Sequence, residues 1–579
     1  MTKISKNKLI CFVISLVSTL AEVFLYWCSK IWSLIIKPRP ESLILEKMRN
    51  TYNYDDWLDL SYELDNVLGN DLWRANPMSS QYDCKLIAER LDMLLEAKES
   101  RDVVSILNIL RSGLVRNLGN IANKKLFTYT GTKFLIEKYN MEVIDCLRFL
   151  LDNPSSTLTA QAKLDLVHDT RQSYGLSTLV LQGGVLFGLC HLGVVKALHE
   201  HQLLPRIISG VGVGALIAAL VCVHTDVELP DFLSGNSIDL SRFASERPSD
   251  AGLGFQRLKR FYDQGYLLDI QLLDAVVREH IGTMTFEEAY IRTRRVLNIA
   301  VFSDDRNMPT LFNFLTTPNV LIASAACASN ALPGLYDDTP LQCKDECGNV
   351  VRWNLSGSHT NTTKKKTKWR RWSTAAPAER EAPYTRVAEL FNVNHFIVSQ
   401  ARPYLAPFFA AQDMVYQNYH RKGQKISSSS GSSGSGTATF IDAMFVGGSD
   451  GDDDGRRTLR SQLFRLAICE LRHRLSQLES VGLLPSFLRR LMILDDRRLL
   501  NSEIIAIAPE LGLRDFWRLL VDAPRSREDV EYWGRKGEQS AWFALPLIRQ
   551  RCGVEFVLDS VYTSMLQNRR SNIARSKLG

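Results

Sequence analysis

Between residues 177 and 223 apolar positions come in short blocks separated by glycines. An apolar run over 178–182 ends at a glycine-rich turn carrying Gly183, Gly184 and Gly188. After it, Leu189, Leu192, Val195 and Leu198 recur at three-residue spacing, which predicts a helix over 189–201. A second short run, 206–209, leads into a turn with Gly210, Gly212 and Gly214 and then an apolar helix over 215–223. Strand, glycine turn, helix, repeated once, is the order of an α/β protein with a mainly parallel sheet. The run 296–301 predicts a further buried strand, and 322–333 is rich in small residues that suit close helix packing.

The pattern changes on both sides of this core. Helical spacing in 57–65, 82–91 and 103–115 predicts a helical domain over 41–165, ahead of an α/β domain over 174–400. Residues 427–455 combine a Ser/Gly tract with an acidic one and predict a flexible linker. Helical spacing resumes over 456–565.

At the other end, residues 9–28 are apolar apart from Glu22, with Lys3, Lys6 and Lys8 before them and Tyr26, Trp27 and Trp32 nearby. Twenty residues of helix cover ~30 Å, the thickness of a bilayer core. No small-residue cleavage site follows, so residues 1–40 are expected to associate with a membrane rather than be removed. Glu22 is costly in lipid, which leaves a full span and a shallow hairpin insertion both open.

Each glycine turn has a chemical reading. Backbone N–H groups at a helix start can cradle an oxyanion. The second turn has the form of a nucleophile elbow, G-x-S-x-G, in which a strained strand-to-helix turn raises a serine. Gly210 and Gly214 are in place, but position 212 is Gly. Glycine adopts the required backbone angles without steric cost, so the turn can outlast its chemistry. The only literal G-x-S-x-G match, around Ser449, is followed by an acidic run that cannot start a helix packed on a sheet. Ser209 precedes the elbow and should point away from it; Cys190 reads as core, and Ser324 and Ser329 as helix packing.

The stretches quoted around the two turns, together with 191–198 and 220–226, resemble the patatin-like lipases, in particular the triacylglycerol-lipase branch of fungi and plants. Segments 116–120 and 131–139 resemble the uncharacterised helical domain that precedes the patatin core in that branch. The resemblance implies an α/β fold with helical N- and C-terminal regions, a Ser–Asp dyad and an oxyanion loop at Gly183, Gly184 and Gly188. The nucleophile position falls on Gly212. Counting back from Pro383 along the D-G-S-x-x-N-D-x-P pattern puts Ala375 at the acid. Both dyad members are therefore expected to be absent, with Glu379 or Glu381 as displaced candidates for the acid. None of the ten His residues has an Asp five positions on, so the H-x-x-x-x-D acyltransferase pattern of some members is missing too.

Composition narrows the partners. The eleven scattered Cys form no disulfide framework and suit reduced thiols facing the cytosol. Cys343 and Cys347 lack a second ligand pair, so no metal or other cofactor is expected. A net charge of +7 fits an anionic lipid surface. The run 364–372 sets six basic residues among two Trp; it reads first as a solvated loop, then as a headgroup contact, with nucleic acid a weaker alternative that is not expected. The sequence thus predicts a lipase-like protein without a nucleophile. Its expected partners are a lipid-droplet or membrane surface facing the cytosol, including the endoplasmic reticulum, a neutral lipid or acyl chain, and an active homologous lipase. An active acyl hydrolase with a relocated nucleophile is the rival.

Overall fold

The computed structural model describes residues 40–152, 159–183, 188–233, 279, 281–303, 308–329, 341–353, 369–370, 377–400, 504–509 and 527–578. Its centre is a sheet built from β1 (Leu176–Gln182), β2 (Ile207–Val211), β3 (Val296–Ala300), β4 (Leu311–Phe312), β5 (Val393–Gln400) and β6 (Ile504–Ile507). The spatial order is β6-β5-β1-β2-β3-β4. All neighbours pair in parallel except β3 and β4, which are antiparallel. Every residue of β2 is buried, as is β1 after its first position. A parallel strand covered on both faces reads as a continuous apolar run, which is why these strands stand out in the sequence. The chain runs outward from β1 through β2 to β3, then returns to the other side of β1 with β5. That reversal places a topological switch between β5 and β1, the place where open α/β sheets present ligand sites at the strands' carboxyl ends.

Helices flank the sheet and continue beyond it. The N-terminal helical domain comprises α1 (Pro40–Asn50), α2 (Tyr54–Leu68), α3 (Asn70–Ala75), α4 (Cys84–Glu99), α5 (Val103–Gly113), α6 (Phe134–Asp152) and α7 (Ala160–Tyr174). Asp83 and Asp102 start α4 and α5 by accepting the N–H groups of the first turn, and Thr159 starts α7 in the same way. Between the strands lie α8 (Gly188–Glu200), α9 (Val213–Val223), α10 (Phe286–Thr293), α11 (Ile322–Ser329) and α12 (Pro377–Phe391). All eleven residues of α9 are buried. It is a central helix, apolar all round because no face meets water. The chain ends in α13 (Arg527–Trp542) and α14 (Leu545–Leu578).

One expectation needs correction. The region 456–565 is not wholly helical, because Ile504–Ile507 forms β6, a parallel strand beside β5. Four β-branched and small apolar residues suit a buried strand and are too few for a helix to bury a face. The sheet therefore draws on chain beyond the linker. No helix among the described residues is long and apolar enough to cross a membrane. Residues 9–28, which carried the membrane-segment expectation, lie outside the described residues, as do the linker 427–455 and Ser449.

Candidate functional site: a strand–helix elbow beside a glycine turn

The elbow between β2 and α9 is formed by Gly212, with φ 64° and ψ −133°. A positive φ of this kind strains any residue with a side chain, and Gly adopts it freely. Backbone hydrogen bonds hold the turn in place. The Ala215 N–H donates to Gly212 O at 2.9 Å, and the Gly214 N–H donates across to Gly183 O at 3.2 Å, tying the elbow to the turn after β1. Gly214 packs directly on the Leu181 carbonyl, where an added Cβ would stand 2.6 Å from the carbonyl carbon. Gly212 is the opposite case: among the described residues, a Cβ there would meet nothing within 4 Å.

The amide of Gly212 has a partner from another element. It donates to Ser329 Oγ at 3.1 Å, and the Ser329 hydroxyl donates to Ala300 O at 2.6 Å. Ser329 ends α11 and is 8% exposed. The sequence reading gave Ser329 a packing role and missed this bridge. Local pattern carries no sign of it, since the two residues lie 117 positions apart. Ser209 stays below the elbow, buried, with its Oγ 3.3 Å from Thr178 Oγ1. Cys190 is buried in α8.

The glycine turn opens at Gly183, which also has a positive φ of 75°, and α8 begins at Gly188. Gly184 lies outside the described residues. One turn into α8, His191 is fully buried, with Nδ1 2.8 Å from Ser399 Oγ at the end of β5. Among the described residues its Nε2 meets no hydrogen-bond partner within 3.5 Å. Burial pushes its pKa down to about 4, partly opposed by the backbone of Gln182 and Gly183. The ring is therefore neutral at physiological pH and sits against the start of the glycine turn. Nearby, Gln182 Nε2 donates to the Tyr384 hydroxyl at 2.6 Å, which joins the end of β1 to α12. Neither contact was visible in the sequence.

Ala375 lies outside the described residues, and Glu379 and Glu381 fall in the first turns of α12. Among the described residues no group of His, Cys, Asp and Glu could hold a metal ion. The arrangement engages the described elbow amides of Gly212, Gly214 and Ala215 within the protein. It offers no described side chain at position 212 that could form a covalent bond.

A mainly parallel sheet with a strand–helix elbow tied to a glycine turn is the scaffold of an α/β class built for acyl-ester chemistry. Residues 179–354 match the patatin-like phospholipase family, and residues 36–172 match a domain of unknown function, DUF3336. Triacylglycerol lipase ptl1 of Schizosaccharomyces pombe is 34% identical over 524 residues, spanning 90% of this chain and 85% of that one. Triacylglycerol lipase 3 of Saccharomyces cerevisiae is 31% identical over 618 residues, spanning 95% and 94%. Triacylglycerol lipase SDP1L of Arabidopsis thaliana is 31% identical over 90% of this chain and 59% of its own length. The chain belongs to the patatin-like phospholipase family, with the DUF3336 domain ahead of the patatin domain and fungal and plant triacylglycerol lipases as its relatives.

Proposed function

We propose that this protein is a non-catalytic member of its lipase group, which holds a neutral lipid or acyl chain and acts in triacylglycerol mobilisation beside an active relative. The observation that carries the reading is Gly212: the elbow keeps its backbone form, yet the position that should present a nucleophile has only hydrogen. The names of the relatives support neutral lipid as the ligand class. A site with oxyanion donors and no nucleophile can bind an ester carbonyl but cannot form an acyl-enzyme. Where a serine hydrolase loses its nucleophile, the rest of the site retains only ~10³–10⁴-fold acceleration over water. The apolar run at residues 9–28 and the basic run at 364–372 support attachment to a lipid-droplet or endoplasmic-reticulum surface from the cytosolic side. Removing residues 1–40 should then abolish flotation of the full chain with anionic vesicles.

The rival reading, a relocated nucleophile, has one described hydroxyl at the elbow to draw on, that of Ser329. Among the described residues its hydrogen bonds are to two backbone groups, with its proton given to the Ala300 carbonyl, and neither group can act as a base. A serine-directed fluorophosphonate probe separates the readings. Purified protein should remain unlabelled. Stoichiometric labelling that disappears in Ser329→Ala would establish the rival instead.

A further inference from the structure

We infer that the DUF3336 domain is a structural wall of the patatin core, not an accessory module, and that α14 bolts it to the sheet at a buried Arg116–Glu555–Ser177 node. The inference stands whether or not the elbow is catalytically silent.

The hydrophobic cores place α14 in both halves of the protein. Its first turns, with Leu545, Ile548 and Cys552, lie in the core that covers the sheet, together with Leu179, Ile208 and α9. Further along, Val554, Leu558 and Val561 lie in the core of the helical domain, with Ile87, Leu107 and Val143. The exchange also runs the other way, because Trp57 and Leu64 of α2 belong to the sheet's core alongside Trp542. Neither half closes its apolar surface without the other.

At the crossing point the polar groups interlock. The Arg116 guanidinium donates to Glu555 Oε2 at 3.0 Å, Ser177 Oγ at 3.1 Å, Gly175 O at 3.1 Å and Arg551 O at 3.0 Å. Its plane lies over the Tyr174 ring, 4.8 Å from the centroid. The Glu555 carboxylate accepts the Ser177 N–H at 2.7 Å and a short hydrogen bond from the Ser177 hydroxyl. Side-chain exposure is 9% for Arg116 and 6% for Glu555. Removing one partner of such a pair leaves the other charge buried. One turn on, Asp559 repeats the arrangement with groups from each half. It accepts from Arg171 Nε of α7 at 2.9 Å and from Arg206 Nε, just before β2, at 2.9 Å. Ser177 is the second residue of β1, which ends at Gln182 just before Gly183, so the node fixes the start of the segment leading to the glycine turn.

The test is the number of cooperative units in the full chain. Hydrogen exchange monitored by mass spectrometry should show amides of α4, α6, β1 and β2 opening together, with protection factors within about tenfold of one another, as expected of one foldon. Glu555→Ala should lower the thermal midpoint and split a single unfolding transition in two. Arg116→Met combined with Glu555→Leu, which removes both charges, should restore a single transition. Wild-type protein whose helical domain exchanges through a separate, much lower-energy opening would overturn the inference. So would a Glu555→Ala protein that melts in one transition at the wild-type midpoint. If Glu555→Ala fails to fold, the double variant and the wild-type exchange pattern still decide the matter.

Discussion

The helix that starts at the glycine turn is gripped by the C-terminal helix α13, and a methyl group can test that grip. Gly193 of α8 faces Gly534 of α13, and Gly537 of α13 faces the Cys190 carbonyl of α8. A Cβ at Gly193 would overlap the Gly534 carbonyl oxygen and stand 2.7 Å from its carbon. A Cβ at Gly537 would stand 2.8 Å from the Cys190 carbonyl carbon. Comfortable carbon contacts lie at about 3.5–4.0 Å, so the helices must part by roughly 1 Å. Rigid backbone on the receiving side leaves no side chain to swing away. Overpacking of this kind costs about 1–3 kcal/mol, against a gain of up to ~1 kcal/mol for Gly→Ala inside a helix. Gly193→Ala and Gly537→Ala should each lose about 1–2 kcal/mol net. Gly534→Ala is the internal control: among the described residues its Cβ would meet nothing within 4 Å, and it should gain up to ~1 kcal/mol. Urea titration of the three variants reads these differences as midpoint shifts of opposite sign. If Gly537→Ala and Gly534→Ala shift the midpoint in the same direction by the same amount, backbone-to-backbone packing of α8 on α13 is wrong.

Other outcomes follow from the buried polar groups. Ser329→Ala removes the acceptor of the Gly212 N–H and should cost about 1–3 kcal/mol of unfolding free energy, measured in the same titration; no loss would mean the elbow does not need the bridge. His191 titrates near 4 in the folded chain against an ordinary 6.5, and burial holds His395 well below 6.5 as well. Both are neutral when folded and take up protons on unfolding, so stability should fall as pH drops from about 6.5 towards 4, by up to ~1.4 kcal/mol per pH unit for each ring. His191→Asn should remove one proton's share of that slope between pH 6 and 4.5, and an unchanged slope would contradict the burial argument.

The elements around the site were legible because their burial is simple. β1, β2 and α9 are almost wholly buried and read as mainly apolar runs, while the glycines at 210, 212 and 214 mark a turn that few other residues could make. β6 was lost among helical text because four residues are too short to show a period, and its strand character comes from pairing with β5. The same limit applies to polar contacts. Ser329 on the Gly212 amide, Ser399 on His191 and Glu555 on Arg116 are separated by 117, 208 and 439 positions, and sequence spacing carries no signal for side chains that only the fold brings together. Arg116, in the turn after α5, and Glu555, on α14, look like two ordinary charges until the fold buries them in one node.

The central claim is that an elbow with glycine at 212 binds acyl lipid without cleaving it, and one measurement tests it directly. Purified full-length protein, prepared from cells lacking other lipases, is incubated with triolein droplets while free oleate is followed over time. The account predicts release no faster than with heat-denatured protein, even as the protein floats with the droplets. Sustained, protein-dependent release at many turnovers per molecule would contradict it.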